Sequence, residues 1–256
     1  MLTPPRAANG AGDVMHLAIN ATELGRRRGG NETYLLGLLS GLAAVAPGRN
    51  VQVTLVVAGE GDRLVGENPS FSQFDLVDVG AYQRLPFFLW QQTAVLRRLA
   101  PDWYLSTFIL PPVTPCRAAV LIHDLSFRSH PNYFPPSIAA YMRLLTGLAV
   151  RRADLLVALS RFTREELVRY YPAAGGKTVT IYPGVGSEFR PDGDRVHDQA
   201  VLAALRIPQP YLLVVGNIHP RKNLDRLLGA WQRLRDARST TPAMVWVGLD
   251  RWGNDR

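Results

Sequence analysis

Hydrophobic residues along this chain follow two alternating patterns. Predominantly apolar runs occur at 51–58, 118–122 and 211–215, and such runs are typical of parallel strands covered on both faces. Between the runs, apolar residues recur every three or four positions, which is the spacing of amphipathic helices. Strands and helices that alternate in this way predict an α/β protein with a doubly wound parallel sheet.

The predicted elements form an ordered series. The polar stretch 59–70 predicts a loop between the second and third strands. In the helix 85–99, the aromatic side chains at 87–90 permit either lipid contact or core packing, and the continuing apolar face favours core packing. Strands are expected at 16–20, 51–58, 76–79, 102–106, 118–122, 154–159 and 178–182, and helices after Gly30, at 85–99, at 137–152 and from Ser160.

The pattern also divides the chain into unequal parts. Residues 1–13 lack periodicity and are rich in Pro, Gly and Ala, so we expect a disordered leader, and Met15 is an alternative translation start. Residues 14–185 supply the strands and helices of one complete Rossmann-like domain. The stretch 186–210, rich in Pro and charge, predicts a linker with a short helical piece. Residues 211–256 supply too few elements to enclose a core, and we interpret them as the incomplete start of a second domain.

Composition narrows the set of partners. The chain of 256 residues has a formal net charge of +8 at pH 7, which favours nucleotide phosphates, a phosphorylated acceptor lipid or an acidic membrane face. Nucleic acid matches this sign, but the arginines are scattered rather than gathered in a tract, so no nucleic acid is expected. No apolar run reaches the roughly 18 residues that span a bilayer, and no signal peptide begins the chain. We therefore expect a cytoplasmic protein with at most peripheral membrane contact.

The lone Cys116 excludes an intrachain disulfide framework and provides no cysteine cluster for zinc. No histidine is paired with it in the sequence, so a structural thiol is favoured over a nucleophile. The sequence shows no cluster of candidate metal ligands, and neither a metal nor another cofactor is expected.

The segment 211–231 is the most informative stretch, because it predicts a buried strand, a tight loop and an amphipathic helix. Gly216 ends the strand, and Arg221 and Lys222 come just before the helix, which Asn223 is expected to cap. Backbone N–H groups and the helix dipole favour a phosphate at such a helix start, and two cations strengthen that preference. The alternative is a pair of solvated loop charges, the commoner state of basic surface residues.

A glycine pair follows the first strand. Gly29 and Gly30 precede a helix that Asn31 is expected to cap. Glycine carries no Cβ, so backbone N–H groups there can come close to a ligand, although a flexible turn explains the pair equally well. The GxGxxG fingerprint and the acidic residue that normally follows it are missing, which argues against a nicotinamide-dependent Rossmann enzyme.

A histidine and an aspartate end the strand at 118–122. Open α/β sheets place ligands at the carboxyl ends of their strands, so His123 and Asp124 are candidate site residues. A histidine at a strand end is, however, more often a satisfied structural residue. Farther along, Thr163 and Glu166 match a capping box at the start of a helix.

Three segments resemble conserved blocks of the family 4 glycosyltransferases, a large retaining group with the GT-B fold. These are IHDLSFRSHPNYFPP, RRADLLVALSRFTREELVRYY and GNIHPRKNLDRLLGAW, which begin at Ile122, Arg151 and Gly216. Pro183, Gly184 and Val185 match a fourth, shorter element, with proline in place of the usual asparagine. The resemblance implies a complete amino-terminal Rossmann-like domain and the first β-α-β unit of an incomplete carboxyl-terminal one.

The resemblance also implies a chemistry. Such enzymes move a sugar from a nucleotide-diphosphate donor to a hydroxyl acceptor, either a glycan, a polysaccharide or a lipid-linked sugar, with retention of configuration. Arg221 and Lys222 would contact the diphosphate, and Asn217 stands where many members carry an arginine. The family's paired glutamates do not occur here. The alternative interpretation is therefore a truncated, catalytically inactive binding module of the same origin.

The remaining site residues also follow from the resemblance. Gly29 and Gly30 would face the diphosphate and the acceptor, and His123 would lie near the donor sugar. Asp124 would orient the loop or a substrate hydroxyl. Ser160, Gly184 and Gly216 are further candidates on the donor side, and for Ser160 helix capping is the stronger alternative.

Overall fold

The computed structural model describes residues 14–26, 29–186, 189, 193–238 and 240–248, with the side chain of Arg84 left aside. The predicted leader 1–13 and the final residues 249–256 lie outside this range. The chain divides after Gly186 into two compact units, and each unit is described by itself.

The first unit is built on a seven-stranded sheet in the order β3-β2-β1-β4-β5-β6-β7. Each neighbouring pair runs parallel, which confirms the predicted α/β fold. The chain winds outward in both directions from β1 and β4, and ligands of open α/β sheets bind where the strand order reverses in this way. The strands are β1 Met15–Asn20, β2 Val51–Val57, β3 Asp75–Asp78, β4 Trp103–Thr107, β5 Arg117–Ile122, β6 Leu155–Ala158 and β7 Thr178–Thr180.

Helices connect these strands and cover both faces of the sheet. Neighbouring strand residues point to opposite faces, and accordingly Ala18 and Ile19 belong to two separate buried clusters. The residues of both clusters are buried, so each face of the sheet packs against a hydrophobic layer. The helices of this unit are α1 Gly30–Val45, α2 Gly61–Gly66, α3 Arg84–Pro86, α4 Gln92–Leu99, α5 Ser126–Ser129, α6 Pro136–Arg152 and α7 Arg161–Tyr170.

Two stretches of this unit differ from the sequence prediction. The stretch 59–70 is not a simple polar loop, because α2 and a 3₁₀ turn at Pro69–Phe71 form there and bury Val65 and Phe71. The aromatic helix contains a π-helical turn at Phe87–Gln91. Within it Phe87 is buried, as core packing requires, whereas Trp90 is exposed.

The second unit contains helix α8 (Arg195–Ala204), strand β8 (Tyr211–Val215), helix α9 (Leu224–Ala237) and strand β9 (Ala243–Val247). The two strands pair in parallel, as expected of a β-α-β unit. Among the described residues after Gly186, none is buried. The unit therefore has the connectivity of a Rossmann-like start without a core of its own.

Candidate functional site

The glycine pair forms the mouth of α1. Gly29 is the N-cap residue, with φ 88° and ψ −135°, a conformation that only glycine adopts without strain. The expected cap at Asn31 is wrong, because Asn31 lies inside the helix and no side chain caps this end. A Cβ added to Gly30 would meet nothing within 4 Å, so packing does not require a glycine at that position. The Glu32 N–H donates to the Gly29 carbonyl at 3.0 Å, whereas the N–H groups before it have no partner within the helix, as at every helix start.

A buried carboxylate holds the loop that leads to this mouth. Glu32, in the first turn of α1, is 8% exposed and accepts a 2.8 Å hydrogen bond from the backbone N–H of Gly25. Earlier in the loop, the side chain of Asn20 accepts bonds from the N–H and the hydroxyl of Thr22. Glu32 has no distinctive signal in the sequence, since a glutamate near a helix start is ordinarily an exposed dipole partner.

His123 follows β5 and lies between two aromatic rings. Its ring centroid is 5.0 Å from that of Tyr34 in an edge-on arrangement and 5.5 Å from that of Phe108 in a stacked one. Tyr34 belongs to α1, so the structure brings the helix mouth and His123 to the same edge of the sheet. Burial lowers the pKa of His123, and the opposing effect of the Asp124 carboxylate is smaller. The imidazole is therefore neutral at neutral pH.

Asp124 and Ser160 both make local hydrogen bonds. The Asp124 carboxylate accepts bonds from the N–H and the hydroxyl of Ser126, at 2.9 and 2.6 Å, and so shapes the loop after His123. Ser160 caps α7, because its hydroxyl oxygen accepts a 3.0 Å bond from the N–H of Thr163. The expected capping box at Thr163 and Glu166 is wrong, since the helix begins earlier. The Thr163 hydroxyl instead donates to the His123 carbonyl at 3.1 Å, which links β5 to the start of α7.

A cavity of about 340 Å³ opens beside the helix mouth. Loops that follow β1, β2 and β3 form its walls. The guanidinium of Arg26 lies 3.5 Å from the centre of the Tyr82 ring and 3.5 Å from the Glu23 carboxylate. Arg26 and Glu60 both line this cavity, and their side chains carry hydrogen-bond donors and acceptors respectively. The lining residues are Leu24, Gly25, Arg26, Ala58, Gly59, Glu60 and Tyr82.

The second unit brings four of the predicted residues into one loop. Gly216 has φ 145°, and a Cβ there would lie 3.6 Å from the Lys222 ammonium nitrogen. The lysine head group therefore lies over the glycine. The N–H of Arg221 donates to the His219 ring at 3.0 Å and holds the 3₁₀ turn Pro220–Lys222.

Strand β9 also supports this loop. The Trp246 indole N–H donates to the Gly216 carbonyl at 3.0 Å. Gly248 approaches even more closely, because a Cβ added to it would lie 2.0 Å from the same carbonyl oxygen. Neither residue was singled out from the sequence, since a contact between the ends of two strands leaves no local pattern.

The structure gives other candidates less support. Gly184 is exposed, and a Cβ there would meet nothing within 4 Å. Burial raises the pKa of the Cys116 thiol to about 12, which leaves little of the nucleophilic thiolate at neutral pH. Within the described ranges, no group of three or more His, Cys, Asp or Glu residues is placed to hold a metal ion, and no helix has the length and apolarity to cross a bilayer.

Comparison with solved structures shows that the fold is of the GT-B type. Among solved structures, Anabaena Alr3699/HepE in complex with UDP-glucose matches with a TM-score of 0.61 at 16% identity, covering 94% of this chain and 62% of that protein. Sucrose-phosphate synthase from Thermosynechococcus elongatus matches with the same score at 14% identity, covering 94% and 64%.

The sequence then gives the family. A model of Glycosyltransferase Family 4 matches residues 28–189, more than half of the chain, and the chain belongs to that family. It is 28% identical over 140 residues to the O-antigen chain mannosyltransferase B of Escherichia coli, covering 54% of this chain and 36% of that protein. It is 41% identical over 101 residues to a D-inositol 3-phosphate glycosyltransferase of Streptomyces scabiei, covering 38% and 22%. The chain thus spans well under half the length of these relatives.

Proposed function

We propose that this glycosyltransferase chain takes part in moving a sugar from a nucleotide-diphosphate donor to a hydroxyl acceptor with retention of configuration. The observation that carries the proposal is the loop that gathers Gly216, Lys222 and Arg221 at the carboxyl end of β8. A glycine-bearing turn with two cations before a helix start is suited to a diphosphate. The likeness to HepE, solved with UDP-glucose, supports the choice of a nucleotide sugar.

The chemistry of this loop is electrostatic. As the bond between sugar and diphosphate breaks, negative charge grows on the departing phosphate oxygens. Cations already fixed in place stabilise that charge without further reorganisation. In our proposal Arg221 and Lys222 are these cations, and Asn217 is a neutral hydrogen-bonding partner. The mechanism then needs no metal ion or other cofactor. Ser160 and Gly184 remain donor-side candidates. The hydrogen bonds of Ser160 support its alternative role as the cap of α7.

The first unit supplies the acceptor side in this proposal. The cavity of about 340 Å³ beside α1 has room for a sugar ring, and its Arg26 and Glu60 side chains offer the donors and acceptors that hydroxyl groups need. The open mouth at Gly29 and Gly30 allows close approach of substrate, and neutral His123 positions the reacting sugar. A glycan or lipid-linked acceptor is consistent with the relative that acts on O-antigen chains.

A second candidate function is a binding module without catalytic activity. It is favoured by the exposure of β8, where Leu213 is 54% and Val215 68% exposed. When the strand beneath a site is this exposed to solvent, the side chains of the site are held less rigidly than catalysis requires. In this alternative the chain retains a nucleotide or an acceptor and transfers nothing.

One experiment separates these possibilities. Purified full chain is titrated calorimetrically with UDP-glucose, GDP-mannose and UDP, and donor hydrolysis is followed in parallel. We expect binding that weakens at least tenfold when Arg221 and Lys222 are both replaced by alanine, since each charge-assisted hydrogen bond is worth about 1.5–3 kcal/mol. The control variant Arg226→Ala removes an exposed charge from α9 and is expected to bind normally. Binding without hydrolysis supports the binding module, and equal loss in both variants contradicts a specific site.

A further inference from the structure

The turn after β4 contains an aromatic residue in a strained conformation. Phe108 has φ 59°, in the left-handed region that bulky side chains rarely enter. The N–H of Ile109 donates to the Thr107 carbonyl at 2.7 Å, so the backbone makes a tight three-residue turn with Phe108 at its centre. Strained residues persist only where the surrounding structure holds them firmly.

Hydrogen bonds from three strands hold this turn. The N–H of Phe108 donates to the Leu121 carbonyl in β5 at 3.0 Å. The buried hydroxyl of Ser106, in β4, donates to the Ile109 carbonyl at 2.8 Å. Asn20, at the end of β1, contacts the same hydroxyl at 3.4 Å. The turn is therefore fixed at the centre of the sheet, where the strand order reverses.

The strained backbone directs the Phe108 ring onto His123. The two rings are stacked at 28° with centroids 5.5 Å apart, and Phe108 also meets the Phe127 ring edge-on at 6.2 Å. Tyr34 closes the arrangement from α1, with its ring edge-on to the imidazole. An ordinary φ would turn the Phe108 side chain in another direction and uncover one face of the imidazole.

We propose that Phe108 is a positioning residue for His123, and that its strained turn exists to hold the ring that orients the imidazole and shields it from water. The importance of this for sugar transfer rests on the proposed function, but the orientation and shielding of His123 do not.

Burial of His123 affects its pKa more than the charges around it do. Among the residues that the structure describes, the titratable groups that act on His123 or contact it are the neighbouring Asp124 carboxylate and Tyr34, and burial raises the pKa of the Tyr34 phenol. The carboxylate alone would raise the pKa of His123, yet burial lowers it. Removing the covering ring should therefore move this pKa upward.

The test is an NMR titration of the histidine ring signals in the full chain. In the wild type we expect His123 to titrate below its ordinary pKa of about 6.5, with ring protons shifted upfield by the stacked phenyl group and cross-relaxation peaks to Phe108. Phe108→Gly removes the ring and also tolerates the positive φ. We expect its His123 titration to move toward the ordinary value and the upfield shift to vanish.

Two further variants separate stacking from bulk. Phe108→Tyr keeps an aromatic ring and should restore the wild-type shift and titration. Phe108→Leu keeps apolar cover and should retain part of the lowered pKa while losing the upfield shift. The ring signals of the exposed His130, stacked on Tyr133, should keep their positions at a fixed pH in every variant and serve as the internal control.

The proposal is overturned if Phe108→Gly leaves the titration and chemical shift of His123 unchanged, or if the wild type shows no cross-relaxation between the two rings. The wild-type measurement stands even where a variant does not fold. If the rings behave as expected but His123→Ala retains full donor hydrolysis, the role of His123 in the proposed function fails while the positioning by Phe108 stands.

Discussion

Strands β2 and β8 illustrate how similar sequences reach different environments in the two units. Both are apolar runs that pair in parallel with a neighbour. In β2 the last five residues are all buried, whereas in β8 none is. The difference lies in what covers them, because helices pack on both faces of the large sheet, whereas the described part of the second unit leaves both strands of the small sheet partly exposed. An apolar run thus predicts a strand, while burial depends on elements elsewhere in the chain.

The loops of the candidate site depend less on burial than the core strands do. The loop from Gly216 to Lys222 adopts a defined arrangement although its unit has no buried described residue. Its turn is held by a short-range hydrogen bond from the Arg221 N–H to His219, and its glycine end by the bond from the Trp246 indole to the Gly216 carbonyl. By contrast, His123 depends on rings from distant parts of the chain. The candidate groups of the second unit therefore lie within one short stretch of sequence, whereas those around His123 come from separate elements of the first unit.

The largest expected effect sharpens the contrast in burial. Leu55 in β2 is 0% exposed and Leu213 in β8 is 54% exposed. Leu55→Ala should lower the free energy of unfolding by about 2–5 kcal/mol, because it leaves a cavity in the core. Leu213→Ala should change it by about 0.5 kcal/mol or less. Urea unfolding followed by circular dichroism measures both, and equal losses would contradict the difference in cover.

The next effect tests whether the loop of the second unit is supported by β9. Gly248→Ala places a Cβ against the Gly216 carbonyl, so the backbone must shift, at a cost of about 1–3 kcal/mol. We expect weaker UDP binding by calorimetry. Gly229→Ala, in α9, meets nothing within 4 Å and should leave binding unchanged. If Gly248→Ala binds as the wild type does, β9 does not support the site.

Gly29 and Gly30 provide a matched pair in the first unit. Gly29→Ala should destabilise the protein by about 1–3 kcal/mol, because φ 88° strains any other residue. Gly30→Ala should leave the melting temperature unchanged, since the added Cβ meets nothing, but it should weaken ligand binding if substrate approaches the helix mouth. Normal binding and activity of Gly30→Ala would show that this mouth is only structural.

The smallest effect concerns pH. Burial lowers the pKa of His123 in the folded state, so the folded protein favours the neutral imidazole. This contribution to stability is fully present above the unfolded pKa of about 6.5 and is lost as pH falls below it toward the folded value. His123→Gln should therefore flatten the decline of stability below pH 6.5 in urea unfolding. An unchanged pH profile would mean that His123 is not shielded.

Much of the fold was predictable because parallel strands and amphipathic helices leave local patterns. The strands at 51–57 and 117–122, and the helix start at Ser160, follow from such patterns. Asn223 shows their limit, since it begins α9 as predicted but makes no side-chain cap. It instead adopts a left-handed conformation with φ 53°, which asparagine tolerates better than most residues.

The candidate site was predictable only in part. His123, Gly29 and the loop at Gly216 stand at strand and helix ends, where sequence places them well. Phe108 was not singled out, because nothing in the sequence signals a left-handed phenylalanine or its contact with a histidine after another strand. Sequence therefore located the loops, while the side chains that support them required the three-dimensional structure.

The most direct test of the account is an NMR titration of the isotope-labelled full chain with UDP, following backbone amide signals. If the loop of the second unit binds a diphosphate, the largest shifts will occur at Gly216, Asn217, Arg221 and Lys222, and they will disappear in the Arg221→Ala, Lys222→Ala double variant. Shifts confined to other parts of the chain, or no shifts at saturating UDP, would contradict the central claim.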